Sequence, residues 1–180
     1  MDYIEIIAQI LGMFGSLLAI VSFQEKKNKR FFIEQSLSGF MFFLNFILIG
    51  AYPAAFFNLT NVVRGGLLSK MGKNNKKVWI LVVICGLYAV CFAFSVVMIW
   101  GEWLKIWLSA FTFLTLELMT VLMWLGNGKH IRYGQFLLSS PSWLIHNIFI
   151  FSLGGILCES FAMLSIIISF IRFGKDGFEK

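Results

Sequence analysis

The sequence predicts an all-α membrane protein, with seven transmembrane helices forming two parallel three-helix bundles joined by a linker helix. Three observations carry this. Of 180 residues, 59% are hydrophobic and only 13% are charged, too little polar surface to cover a water-soluble domain. The apolar residues fall into seven stretches, each close to the length that crosses roughly 30 Å of hydrocarbon as helix. The short connections between them are alternately basic and uncharged or acidic. No long alternation of polar and apolar residues suggests a barrel, and backbone groups in lipid must be satisfied internally, so the spans are helices.

In chain order the predicted spans are Tyr3–Phe23, Phe31–Gly50, Pro53–Ser69, Val78–Trp100, Trp103–Leu125, Gly134–Ser152 and Ile156–Phe173, of which the third and seventh read as the least apolar. The first connection carries Lys26, Lys27, Lys29 and Arg30, the third Lys70, Lys73, Lys76 and Lys77, and the fifth Lys129 and Arg132. Arg172, Lys175 and Lys180 follow the last span, which leaves only Arg64 and Lys105 of the 15 basic residues unassigned to that end. The positive-inside rule puts the basic end in the cytoplasm, with the N-terminus outside and the C-terminus inside. The net charge of +6 then reflects topology and contact with anionic lipid. No basic and aromatic pattern points to nucleic acid.

Asp2 and Glu5 stand where a signal peptide would be basic, and no small-residue cleavage site follows, so the first span is expected to be retained. Cys85, Cys91 and Cys158 are odd in number, lack close pairing and fall at membrane depth, which excludes a disulfide framework and a metal site. Asn58-Leu59-Thr60 is a glycosylation sequon only by chance, since it lies within a span. No P-loop, nucleophile elbow, metal cluster or nucleophile–base pair is present, so neither an enzyme nor a cofactor is expected.

The chain matches itself at an offset of about 102 residues, a repeat read from aligned residue types. Lys27 falls on Lys129, Arg30 on Arg132, Phe31 on Tyr133, Ser38 on Ser140, Gly39 on Pro141 and Asn45 on Asn147. Each half has a short outer turn, Ala51-Tyr52 in one and Leu153-Gly154-Gly155 in the other. Residues 1–73 form the first repeat, 74–100 the linker and 101–180 the second. Val78–Trp100 has no Asn, Gln, Asp, Glu, Lys, Arg or His, which suits a connector. An odd number of crossings between the repeats makes them parallel, an architecture in which substrate sits at the repeat interface near mid-membrane.

The residues Gly12 to Gln24, the basic loop, Leu48-Ile49-Gly50-Ala51, Asn58, Arg64, Pro141-Ser142-Trp143-Leu144, Asn147, Gly154-Gly155, Glu159 and Ser165 to Arg172 together resemble the YgjV-type bacterial inner-membrane proteins. That family is similar in turn to the SWEET, PQ-loop and PnuC-like facilitators of sugars and vitamin-like nucleosides. The resemblance implies a seven-helix facilitator in a bacterial inner membrane. For PnuC-like uptake it also implies a cytosolic kinase that traps the substrate by phosphorylation. The Pro-Gln of that wider group is Phe23-Gln24 here, so the proline hinge is absent.

Polar residues inside the spans mark the candidate site, because they are costly in lipid and usually face the bundle interior or a watery cavity. Ser38 and Asn45 are two turns apart on the second span, and Ser140 and Asn147 repeat this on the sixth, with Trp143 and His146 adjoining. Asn58, Asn61 and Arg64 share a face of the third span; Glu159, Ser165, Ser169 and Arg172 form a stripe on the seventh. Glu117 sits alone in the middle of the fifth, suited either to proton coupling or to a bond with Gln9 or His146. Gln24 and Glu159 complete the pathway candidates. Asn45 and Asn147 are expected to face each other across the interface with Trp143 and Asn61 beside them, holding a neutral, polar, partly planar metabolite such as a vitamin precursor, nucleoside or sugar. The same residues also suit a second reading, a membrane scaffold or interaction protein whose polar groups only join helices. Ala8, Gly12, Ser16 and Ala19 form a ridge for close helix packing. Bilayer contact is expected throughout, and homo-oligomer formation stays open.

Overall fold

The computed structural model describes residues 3–71, 77–149, 153–174 and 177–178, and every regular element among them is helical. α1 (Tyr3–Ser22), α2 (Asn28–Leu48), α3 (Tyr52–Ser69), α4 (Val78–Met98), α5 (Trp103–Leu125) and α7 (Leu153–Phe173) are single α-helices. Between the last two, α6 runs without a break through Gly128–Gly134, a π-helical turn at Gln135–Ser139, and Ser140–Phe149.

Local chemistry explains the boundaries. Gly126 adopts φ +74° to close α5, a left-handed position that costs glycine nothing. The Asn127 side chain then accepts from the Lys129 and His130 backbone amides, starting α6 six residues before the apolar stretch does. Part of the fifth basic connection is therefore helical, as is Asn28-Lys29-Arg30 at the start of α2. At the opposite end α7 begins at Leu153, so Leu153-Gly154-Gly155, expected as a turn, is its first turn of helix. The connection between α6 and α7 falls on 150–152, outside the described residues.

The π-turn has a cause in Pro141. Proline offers no amide hydrogen, and its ring clashes with the carbonyl four residues back, here that of Leu137. α6 widens just before it, and the Ser140 amide reaches Gln135 O, five residues back. One extra residue is thereby inserted, which rotates the following half of α6 relative to the preceding half.

Among the described residues, five helices combine the length and apolarity needed to cross a membrane: α1, α2, α4, α5 and Gly154–Phe173 of α7. α7, expected among the least apolar, has a mean hydropathy of 2.0 against 1.5 for α2. α3 falls short because it carries Asn58, Asn61 and Arg64, and α6 because the π-turn divides it. Both are the helices that supply polar groups to the centre.

Packing closes a ring: α1 on α2, α2 on α3, α3 on α5, α5 on α6, α6 on α7 and α7 back on α1. α4 lies outside, against α3 and α5. Glycines allow the close approaches: a Cβ on Gly65 would lie 2.6 Å from Phe32 O, and one on Gly15 would lie 3.1 Å from the Phe42 ring. The polarity is inverted relative to a soluble fold. Trp103, Trp107, Phe111, Leu114 and Leu118 form an exposed stripe on α5, while Thr112, Thr115, Thr120 and Ser109 are buried. Such a surface is stable against lipid, not water.

A polar cavity between the two halves

All six ring helices contribute to one central cavity of about 80 Å³. α6 faces it with Gln135, Ser139, Trp143 and Asn147, spaced at successive fours. α2 faces it with Gln35, Gly39, Phe42 and Phe46, and Ser38 beside them. α3 adds Asn58, Asn61 and Arg64, and α7 adds Gly155, Cys158, Glu159 and Ala162. Leu116 of α5 and Ala19 and Phe23 of α1 complete the wall.

Of the candidates read from sequence, the fold brings Asn58, Asn61, Arg64, Trp143, Asn147 and Glu159 together at this cavity. Asn58 Nδ2 donates to Ala54 O at 2.9 Å, and Asn61 Nδ2 to Asn58 Oδ1 at 3.5 Å. The Tyr88 hydroxyl reaches in from α4 and donates to Asn61 Oδ1. Arg64 is only 6% exposed. It makes long bonds to Leu116 O (3.5 Å) and Thr120 Oγ1 (3.3 Å), and its guanidinium lies over the Tyr88 ring.

Four candidates lie elsewhere. Asn45 does not line the cavity: its Nδ2 donates to Ala8 O, and its carboxamide fills the space left by Gly12. The expected confrontation with Asn147 is therefore not made. Register gives the reason. Cavity-facing positions correspond as Gln35 to Gln135 and Gly39 to Ser139 before the π-turn has ended, and as Phe42 to Trp143 and Phe46 to Asn147 after it. The counterpart of Asn147 by facing is Phe46, and Asn45, one residue or about 100° away, turns onto α1. His146 packs edge-on against Trp143 outside the cavity, its Nδ1 buried without a hydrogen bond among the described residues. Glu117 sits against the Cys85 thiol of α4, not against Gln9 or His146. Gln24 donates to Ser165 O and Oγ, tying α1 to α7.

Arg132, counted with the basic connection, is 1% exposed. Its guanidinium donates to Phe23 O, Glu25 O and Gly128 O and lies 4.0 Å from the centre of the Phe178 ring. It thus satisfies carbonyls left open where α1 ends. With Gln24–Ser165 it holds the two halves together at the basic end.

Sequence reasoning did not single out Gln35, Gln135, Ser139 or Tyr88. Gln35 and Gln135 stand at span ends, where a polar residue reads as interfacial. Tyr88 was the one hydroxyl-bearing aromatic in a span with no other strong polar side chain, and that isolation was its signal.

A family model described as Imp-YgjV, bacterial inner membrane protein, matches residues 6–177. The chain belongs to that family. No curated protein and no solved structure matches it. As a membrane protein of a bacterial inner-membrane family, it turns its apolar stripes to lipid and keeps its polar groups for the ring's interior.

Proposed function

We propose that the protein is a transporter or facilitator that moves a small, net-neutral polar metabolite through the cavity between its two halves. One observation carries this reading: the cavity is walled by six helices and bears polar groups that the packing does not use. Asn147 Oδ1 and Glu159 Oε2 are buried with no hydrogen-bond partner among the described residues. Buried polar atoms are normally paired, so such orphans at a cavity wall suit an incoming ligand or water. The scaffold reading has support in Asn45 and Gln24, which do only join helices. It offers no reason for the orphans. At about 80 Å³ the cavity suits a molecule of a few heavy atoms, well below the size of ordinary ligand pockets. The chain has no nucleotide-binding motif, so movement is downhill or coupled to an ion. The basic end faces the cytoplasm in this reading, by the bias of Lys and Arg.

The test is flux in proteoliposomes of the purified protein across a panel of small labelled polar solutes. Saturable uptake of any member, lost in Asn147→Ala, supports transport. Protein that is folded but takes up none of them favours the scaffold.

A further inference from the structure

Resting on the reading of the cavity as a substrate passage, the two ends of its wall specify the ligand's charge. Toward the α6–α7 connection, the Asn147 carboxamide abuts Gly155. Glu159 follows Gly155 by four residues, one turn along α7, and Trp143 precedes Asn147 by four, one turn along α6. A carboxamide oxygen, a carboxylate and an indole therefore share a patch about one helical turn deep, and all three line the cavity. Asn147 is 3% exposed, and both its Oδ1 and Glu159 Oε2 are acceptors without donors among the described residues, while the Ser140 hydroxyl donates to the Glu159 carboxyl. An ammonium answers all three. It donates to both oxygens, offsets the carboxylate's charge in a place where charge is costly, and lies favourably on an aromatic face. A single hydroxyl would satisfy one acceptor and leave the charge uncompensated.

Arg64 stands at the other end. It has five N–H donors, makes only the two long bonds from Nη1, and has no ion-pair partner among the described residues. Glu117, one turn from Thr120, bonds the Cys85 thiol and acts on Arg64 only through space, without an ion-pair contact. A guanidinium held this way, with Asn58 and Asn61 on the same helix face, is suited to a carboxylate taken by two parallel bonds. α3 and α7 both start at the end opposite the basic one. Arg64 lies twelve residues into α3 and Glu159 six into α7, which at 1.5 Å per residue offsets them by roughly 9 Å in depth. Both side chains are long enough to close part of that gap.

We infer that the cavity binds a small zwitterion, its ammonium between Glu159, Asn147 and Trp143 and its carboxylate on Arg64, with the two charges several carbons apart.

The full chain, purified in detergent and reconstituted, is tested by thermal shift and by uptake with γ-aminobutyrate, butylamine, butyrate and ribose. γ-Aminobutyrate should stabilise and enter at least about tenfold better than either half-molecule. Glu159→Gln should remove its advantage over butyrate, and Arg64→Gln its advantage over butylamine. Should Arg64→Gln fail to fold, Arg64→Lys keeps a cation but not the paired geometry and should weaken carboxylate binding alone. Ribose or butyrate binding as well as γ-aminobutyrate, or no binding of γ-aminobutyrate by folded protein, overturns the assignment. Ribose uptake without γ-aminobutyrate uptake would leave the passage standing and remove the zwitterion; no uptake of any of the four would remove both.

Discussion

A Cβ on Gly155 would lie 2.4 Å from both Cγ and Oδ1 of Asn147, so the bare backbone of α7 is the seat on which the Asn147 carboxamide rests. No side chain larger than hydrogen fits at that position without moving the asparagine. Asn147 is also one of the two cavity residues, with Glu159, that keep an unpaired acceptor among the described residues. The glycine therefore positions a binding group and does more than ease helix packing.

Gly155→Ala should rotate Asn147 out of place. Overpacking of this kind costs about 1–3 kcal/mol, and the cost falls where the ligand binds. Uptake should drop about tenfold or more while the protein still purifies as a folded monodisperse species. Wild-type uptake by this variant would show that the carboxamide is not a ligand group.

The two asparagines should separate. Asn45→Ala removes the side-chain bond to Ala8 O that ties α2 to α1 and empties the space beside Gly12, and should lower thermal stability by about 1–3 kcal/mol with little change in uptake per folded molecule. Asn147→Ala should do the reverse, with near-normal melting and uptake reduced about tenfold. Parallel melting curves and initial uptake rates decide it; equal uptake losses would place both side chains in the pathway.

Arg132→Met should be among the most damaging substitutions in the chain. It strips the donor from Phe23 O, Glu25 O and Gly128 O in a place water does not reach. A loss of about 3 kcal/mol or more is expected, seen as a large fall in melting temperature. Arg132→Lys should recover only part, because one ammonium cannot match the spread of a guanidinium.

Tyr88→Phe keeps the ring under Arg64 and removes only the hydroxyl that donates to Asn61. Stability should change by about 1 kcal/mol and uptake should fall several-fold, since Asn61 is then free to turn. Unchanged uptake would restrict α4 to a supporting role.

Orientation is checked by replacing Lys129 or Lys105 with cysteine in a background lacking the three native thiols. An impermeant reagent added to intact cells should label the Lys105 position and not the Lys129 position. The opposite result would invert the protein.

Composition alone determined the solvent of this protein: with so little charge and seven long apolar runs, only lipid can face its surface. Helix number followed from the same runs, because each is long enough to span and no wider register was open to it. The identity of many cavity residues was also legible, since Asn58, Asn61, Arg64, Asn147 and Glu159 are too costly in lipid to point anywhere but inward. Which way an inward residue points was not legible. Asn45 and Asn147 match in type and in sequence offset, yet the residue that faces the cavity in the place of Asn147 is Phe46, one position from Asn45, and one position is about 100° of rotation. The same limit hid Arg132, whose place in a basic loop suggested contact with lipid headgroups while the carbonyls it bonds come from the segment just past α1, over a hundred residues earlier. Residue type sets what a side chain must find; the tertiary structure sets which partner is within reach.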